Sequence, residues 1–116
     1  MVMSDERIIL CGANAYEKKY YFNERFKQIP GSIQDELHIL CVLFTEEAGG
    51  IFTIVFEPDG SVSLETDAEE SDIYYDEISS GLLIGEVRRK RRELLASLSL
   101  YYRALILKED LTEQPE

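Results

Sequence analysis

The chain has few of the side chains from which catalytic sites are usually built. Its 116 residues include one histidine, two cysteines and no tryptophan. Neither Cys11 nor Cys41 belongs to a Cys-x-x-Cys pair or to a zinc-ligand spacing. A single histidine provides only one side chain that ordinarily titrates near neutral pH. The composition therefore predicts no catalytic site, no bound metal and no cofactor.

Positive charge is equally scarce, except at one place. Asp and Glu number 23 against 12 Lys and Arg, which gives a net charge of -11. Five of those bases are consecutive, and helical spacing puts Arg91 on the apolar side. The overall acidity opposes nucleic acid, whereas the basic run attracts acidic groups. The candidate binding residues for an acidic partner are Arg88, Arg89, Lys90 and Arg92. The favoured interpretation of the run itself is an exposed turn neutralised by the chain's own acids.

Long apolar runs are also missing. No stretch approaches the roughly 20 apolar residues that span a bilayer, and residues 1–6 lack the basic segment of a signal peptide. We therefore expect a cytoplasmic protein without membrane contact. Both cysteines stand among apolar neighbours, which predicts buried, reduced thiols. A disulfide or a reactive thiol is the alternative.

Short apolar runs separated by turn residues indicate the first half of the fold. Residues 7–11 predict a strand that ends at Gly12 and Asn14, and residues 19–23 predict its returning partner. A helix over residues 15–28 is the competing interpretation. Apolar residues at helical spacing predict a helix over residues 32–47, which Gly49 and Gly50 would end.

The second half predicts another hairpin and a long helical segment. Residues 51–57 and 61–66 flank Asp59 and Gly60, which favour a tight turn between strands. From residue 71 to residue 108 no proline occurs, and apolar residues recur at helical steps. A single helix of this length would exceed about 50 Å. We therefore expect a bend near Gly81 to Gly85, or a homodimer that accommodates the length.

The predicted order is β-β-α-β-β-α, an α+β fold. About four antiparallel strands, in two hairpins, would pack with two helices. Residues 1–108 would form one domain, and residues 109–116 are predicted to be a disordered acidic tail. Three tyrosine pairs suit either the margin of the core or an interface. Among them Tyr101 and Tyr102, together with Leu98, are the candidate contacts of a homodimer.

One short series on the predicted first helix could carry chemistry. Asp35, His38 and Cys41 follow one another at steps of three and could act as orienting acid, base and nucleophile. However, Asp35 and Cys41 are nearly two turns apart, and Cys41 falls within the apolar stripe. A partly exposed histidine that can pair with Asp35 and lies beside a core cysteine is therefore the favoured interpretation, and an enzyme that uses His38 and Cys41 is a minor hypothesis.

Several short segments carry a resemblance to a known family. They are residues 11–14, 19–23, 34–37 and 41–46, followed by Gly49 and Gly50. In these segments the chain resembles a small uncharacterised family of clostridial-type (Firmicutes) bacteria, and the resemblance extends to the helix with Tyr101 and Tyr102. It implies a bacterial cytoplasmic protein. It brings no known activity, so no site residue is transferred.

The best hypothesis is a small interaction or regulatory protein that forms a homodimer. It rests on the overlong helix, the tyrosine pairs and the scarcity of catalytic groups. A protein that binds an acidic ligand through Arg88 to Arg92 is the alternative.

Overall fold

Four strands pair into one antiparallel sheet, and helices cover one of its faces. The computed structural model describes residues 6–108. The strands are β1 (Ile8–Asn14), β2 (Lys19–Phe22), β3 (Ile51–Phe56) and β4 (Val62–Asp67), and the sheet order is β2-β1-β3-β4. The helices are α1 (Gly31–Ala48), α2 (Glu77–Lys90) and α3 (Arg92–Tyr101), with a 3-10 turn at Glu24–Phe26 and a π-helical segment at Tyr102–Ile106. The α+β class and both hairpins are confirmed.

Local hydrogen bonds explain both hairpins. The Asn14 side chain accepts from the backbone N–H groups of Tyr16 and Glu17 at 2.9 and 3.1 Å, so the chain reverses where the competing interpretation placed a helix. In the second hairpin, Asp59 accepts from the Ser61 N–H at 2.9 Å, and Gly60 adopts a φ of 92°. That positive φ is the conformation in which glycine costs least.

A β-bulge at Leu10 sets which side chains of β1 face the helices. Ile9 pairs with Val55, but the next pair is Cys11 with Ile54, so Leu10 is the extra residue. The extra residue lets Leu10 and Cys11 both lie on the helix-covered face, and both are fully buried. Without the bulge, strict alternation would turn one of them toward solvent.

Helix α1 lies across the sheet and begins and ends one residue outside its predicted range. Its inner side buries Leu37, Leu40, Cys41 and Phe44. It stops at Gly49, whose φ of 76° and ψ of -172° are accessible almost only to glycine. The C-terminal stop inferred from the glycine pair is therefore confirmed.

The C-terminal helical segment breaks at Arg91, not near Gly81 to Gly85. Arg91 has φ and ψ of -114° and 30° and separates α2 from α3. The two glycines lie within α2, and a Cβ at either would meet nothing within 4 Å, so no packing bends the helix there. The turn at Arg91 instead brings the apolar side of α3 onto the domain, where Leu94, Leu95 and Leu98 are buried.

The core is closed by an aromatic cluster at the C-terminal end of the helices. Tyr102 stacks on Phe56 with ring centroids 4.4 Å apart, and Phe26 lies 6.3 Å from Tyr102. All three side chains are fully buried. Within residues 6–108 no helix is both long and apolar enough to cross a membrane. The predicted acidic tail, residues 109–116, lies outside the described residues.

Candidate interaction surface

Helix α2 is attached to the domain with little burial. Of its 14 residues only Ser80 is buried. Ile78 and Leu82, one turn apart on the same side, are 77% and 72% exposed. In the preceding loop, Ile73 and Tyr74 are 81% and 90% exposed. Four large apolar side chains therefore face solvent within ten residues of sequence, which is typical of a surface that contacts another molecule.

The start of α2 is held firmly. Asp76 caps the helix by accepting from the N–H groups of Ile78 and Ser79 at 3.0 and 3.2 Å. Bonds from the Ser79 hydroxyl and backbone hold the pKa of the Asp76 carboxyl below its usual range. The hydroxyls of Tyr75 and Ser80 are hydrogen-bonded to each other. Ile78 and Leu82 are therefore presented on an ordered helix whose N-terminal turn is fixed.

The other side of α2 meets α1 across a shallow groove of about 150 Å³. Leu83 and Val87 of α2 line it, facing Leu40 and Leu43 of α1. Leu43 and Ile39, one turn apart on α1, are 56% and 57% exposed. Helix α1 therefore carries a second pair of exposed apolar side chains. We call Ile78, Leu82, Ile39 and Leu43, with Ile73 and Tyr74, the apolar face.

Charge is distributed with opposite sign at the two ends of α2. Between Val62 and Val87 the chain carries eight Asp and Glu and no Lys, Arg or His. The next five residues are all basic. Because acids favour a helix N-terminus and bases favour a C-terminus, this order stabilises α2 itself. It also gives the helix an acidic end and a basic end that a second molecule could match.

The basic run is only partly neutralised within the described residues. Arg89 and Lys90 both approach Glu86, at 4.0 and 3.7 Å. Arg91 pairs with Glu36 of α1 at 3.5 Å. Arg88 donates to the Val62 carbonyl at 3.2 Å. Three of the five bases therefore share two carboxylates, and within residues 6–108 the Arg92 side chain has neither an ion pair nor a hydrogen bond.

The residues proposed from the sequence as dimer contacts lie elsewhere. Leu98 and Tyr102 are 2% and 0% exposed, and Tyr101 is partly buried. In this fold they belong to the core and leave little surface for a second chain. A sequence signal that could have drawn attention to α2 is the pair Gly81 and Gly85, because glycine inside a helix costs about 1 kcal/mol relative to alanine.

The two members of the hypothetical catalytic pair lie in different environments. His38 is exposed and stacks on Tyr20, with ring centroids 4.1 Å apart. Cys41 is fully buried, and its sulfur lies 3.9 Å from that of Cys11. The hydrogen bond with Cys11, followed by burial, raises the pKa of the Cys41 thiol. A thiol held in its protonated form is a poor nucleophile.

Comparison with known proteins assigns the chain to a family. A model described as "Family of unknown function (DUF6145)" matches residues 7–110. The chain belongs to this family. Membership agrees with the expectation of an uncharacterised family. No curated protein and no solved structure matches the chain. The description of DUF6145 brings no activity, so inferences about function rest on the apolar face and the charged ends of α2.

Proposed function

We propose that this protein is a small interaction module that works as a homodimer, with the apolar face as the contact between two copies. The observation that carries the proposal is a 14-residue helix with one buried residue and with Ile78 and Leu82 more than two-thirds exposed. The module would act in the cytoplasm of a clostridial-type bacterium, as the sequence resemblance implies.

The charges favour one arrangement of the two copies. A twofold axis through the middle of α2 makes the two helices antiparallel, so each acidic end faces the other copy's basic end. Glu77 would then lie near Arg88 and Arg89 of the second copy, and the same contact would recur at the other end. A parallel arrangement would instead place like charges together and be disfavoured.

Two glycines suit a close approach of the helices. Gly81 and Gly85 lie on the open side of α2, and both have free space around them. In sequence, Gly81 stands between Ile78 and Leu82, and Gly85 follows Leu82. A glycine inside a helix costs about 1 kcal/mol relative to alanine. Contact with a second helix would offset that cost, because the absence of side chains brings two backbones closer together.

The remaining apolar residues extend the contact. A standard interface buries about 800 Å² on each partner, whereas α2 is only about 21 Å long at 1.5 Å per residue. One helix face therefore supplies part of the area. Ile73 and Tyr74 of the preceding loop and Ile39 and Leu43 of α1 would supply the rest.

The first test is the mass of the purified chain in solution. We expect sedimentation equilibrium to give twice 13.3 kDa for the wild type. Leu82→Glu should weaken dimerisation by about 100-fold or more, because it buries an unpaired charge in each half of the contact. Leu100→Glu is the matched control, because Leu100 is also exposed, at 50%, but lies on α3. A wild type that stays monomeric at ~0.1 mM would contradict the proposal.

Charge reversal tests the antiparallel arrangement. One variant carries Arg88→Glu and Arg89→Glu, and the other carries Glu70→Lys and Glu77→Lys. Each alone would bring like charges together at both ends and should be monomeric. Mixed in equal amounts they should form a heterodimer, because both ends are then complementary. Two variants that fail to pair when mixed, although each is folded, would exclude this geometry.

A second candidate function is the binding of an acidic ligand at the basic run. It is favoured by the five bases, of which three share two carboxylates, and by the Arg92 side chain, which has no partner within the described residues. The probes are a labelled single-stranded oligonucleotide and a polyglutamate peptide. Binding by a monomeric wild type, lost in the Arg88→Glu, Arg89→Glu variant and steeply weakened by salt, would favour this function over the dimer. A variant with Lys18→Glu and Lys19→Glu controls for the total charge.

A further inference from the structure

The two cysteines, which the dimer does not use, meet in the core. Cys11 reaches the helix-covered side of the sheet through the bulge at Leu10, and Cys41 lies on the inner side of α1. Their sulfurs are 3.9 Å apart, close to van der Waals contact, and both thiols are free. A disulfide has an S–S length of about 2.05 Å. An approach of the two sulfurs by roughly 2 Å would therefore allow the bond, which would join β1 to α1.

A pair of stacked rings stands over the thiols at the edge of the sheet. Tyr20 stacks on His38 at 4.1 Å with 14° between the ring planes. The Tyr20 hydroxyl is buried, and it lies within interaction distance of the Cys11 thiol. Burial, and then the negative charge that Cys11 and Cys41 would carry when ionised, raise the pKa of Tyr20. The strand register agrees, because Tyr20 pairs with Ala13, which lies two residues from Cys11 on the same buried face of β1.

The covering ring is carried by a short edge strand of the sheet. β2 has four residues and pairs only with β1. A groove of about 500 Å³ runs along Tyr20 and His38, and neither cysteine lines it. Outward movement of this one ring would connect the groove with the thiols, and such local openings are frequent at strand edges.

We propose that Cys11 and Cys41 form an oxidisable dithiol that a peroxide reaches when Tyr20 swings out of its stack on His38. In the first step one cysteine thiolate attacks hydrogen peroxide, the O–O bond breaks, and a sulfenic acid and hydroxide form. Hydroxide takes up the proton that the thiol released. In the second step the other sulfur attacks the sulfenic sulfur and expels water. The sum is two thiols and one peroxide giving one disulfide and two waters.

The closed state protects the thiols against this reaction. Because the thiolate is the reacting form, the raised pKa of Cys41 keeps the closed pair unreactive near neutral pH. The rate should therefore depend on how often Tyr20 opens, and it should increase with pH. The resulting disulfide would fix the edge of the sheet against α1, and a small dithiol would reverse it.

The experiment uses the reduced full-length chain exposed to hydrogen peroxide and then unfolded with maleimide present. We expect a product that has lost the mass of two hydrogen atoms and adds no maleimide. Cys11→Ser and Cys41→Ser should each prevent that loss. If peroxide leaves both thiols free to add maleimide, or joins two chains instead, the dithiol proposal is overturned.

Substitutions of Tyr20 test whether its ring controls the access of peroxide to the two thiols. Tyr20→Ala should accelerate disulfide formation by at least about tenfold, equivalent to ~1.4 kcal/mol of opening free energy. Tyr20→Phe keeps the packing and should react within a few-fold of the wild type. Tyr21→Ala is the matched control, because Tyr21 lies on the open side of the sheet and is 54% exposed. An equal rate in Tyr20→Ala and the wild type would refute the gating by Tyr20.

Discussion

Replacing Tyr102 with alanine should lower the free energy of unfolding by about 3–5 kcal/mol. The ring is fully buried and stacks on Phe56 at 4.4 Å, with Phe26 completing the cluster. Its removal would leave a cavity between the end of the sheet and the C-terminal helix. A domain of this size is stable by only about 5–15 kcal/mol. Urea unfolding followed by far-ultraviolet circular dichroism measures the change, since the chain has no tryptophan.

The matched variant Tyr102→Phe should change stability in the opposite direction. The Tyr102 hydroxyl is buried and lacks a hydrogen-bond partner within the described residues. Removing an unpaired buried polar group relieves a cost of about 1–3 kcal/mol, so a gain of roughly 1 kcal/mol is expected. A loss of stability in Tyr102→Phe would show that the hydroxyl has a partner and would contradict this account of the cluster.

The same pair of variants predicts a dependence on pH. Burial raises the pKa of Tyr102, so the folded chain holds the phenolic proton where the unfolded chain has lost it. The resulting stability is complete below the unfolded value of about 10 and is lost as pH rises through the folded value. At alkaline pH the free energy of unfolding should therefore fall less steeply with rising pH for Tyr102→Phe than for the wild type. Urea unfolding at a series of pH values measures this dependence.

Features set by neighbouring residues were predictable from the sequence. Asn14 and the Asp59-Gly60 pair act through hydrogen bonds within their own turns, so both hairpins followed from local chemistry. Helix α1 carries its apolar residues on one side and ends at a glycine, and its limits were correct to one residue. These signals need no knowledge of what the element packs against.

Features set by distant contacts were not predictable. The apolar residues after position 71 form one helical series in sequence, but they belong to two helices that face different surroundings. Leu98 and Tyr102 face the core, whereas Ile78 and Leu82 face solvent. The break at Arg91 produces this difference in burial. Arg91 contacts Glu36, which lies 55 positions away in the sequence, so no local pattern indicates the break. The basic run could be recognised in the sequence from its charge. The exposure of the apolar face could be recognised only from the fold.

Replacing Gly50 with alanine should lower the free energy of unfolding by about 3 kcal/mol or more. Gly50 has a φ of 72°, which costs a non-glycine residue about 1–3 kcal/mol. An added Cβ would also lie 2.6 Å from the Asp67 carbonyl oxygen and 2.8 Å from the Tyr75 ring. Overpacking of this kind typically costs a further 1–3 kcal/mol. Displacing Tyr75 would also disturb its bond to Ser80 and the start of α2.

Gly85→Ala is the matched control for Gly50→Ala and also bears on the dimer. Gly85 is helical, and a Cβ there meets nothing within 4 Å in the single chain. In a Leu82→Glu background, which is expected to keep the chain monomeric, Gly85→Ala should therefore raise the free energy of unfolding by about 0.5–1 kcal/mol. In the wild-type background the added methyl would hold two α2 helices apart and weaken dimerisation. Only a glycine that lies at a helix contact gives these two opposite effects. An alanine that stabilises the monomer and leaves the dimer unchanged would place the contact away from Gly85.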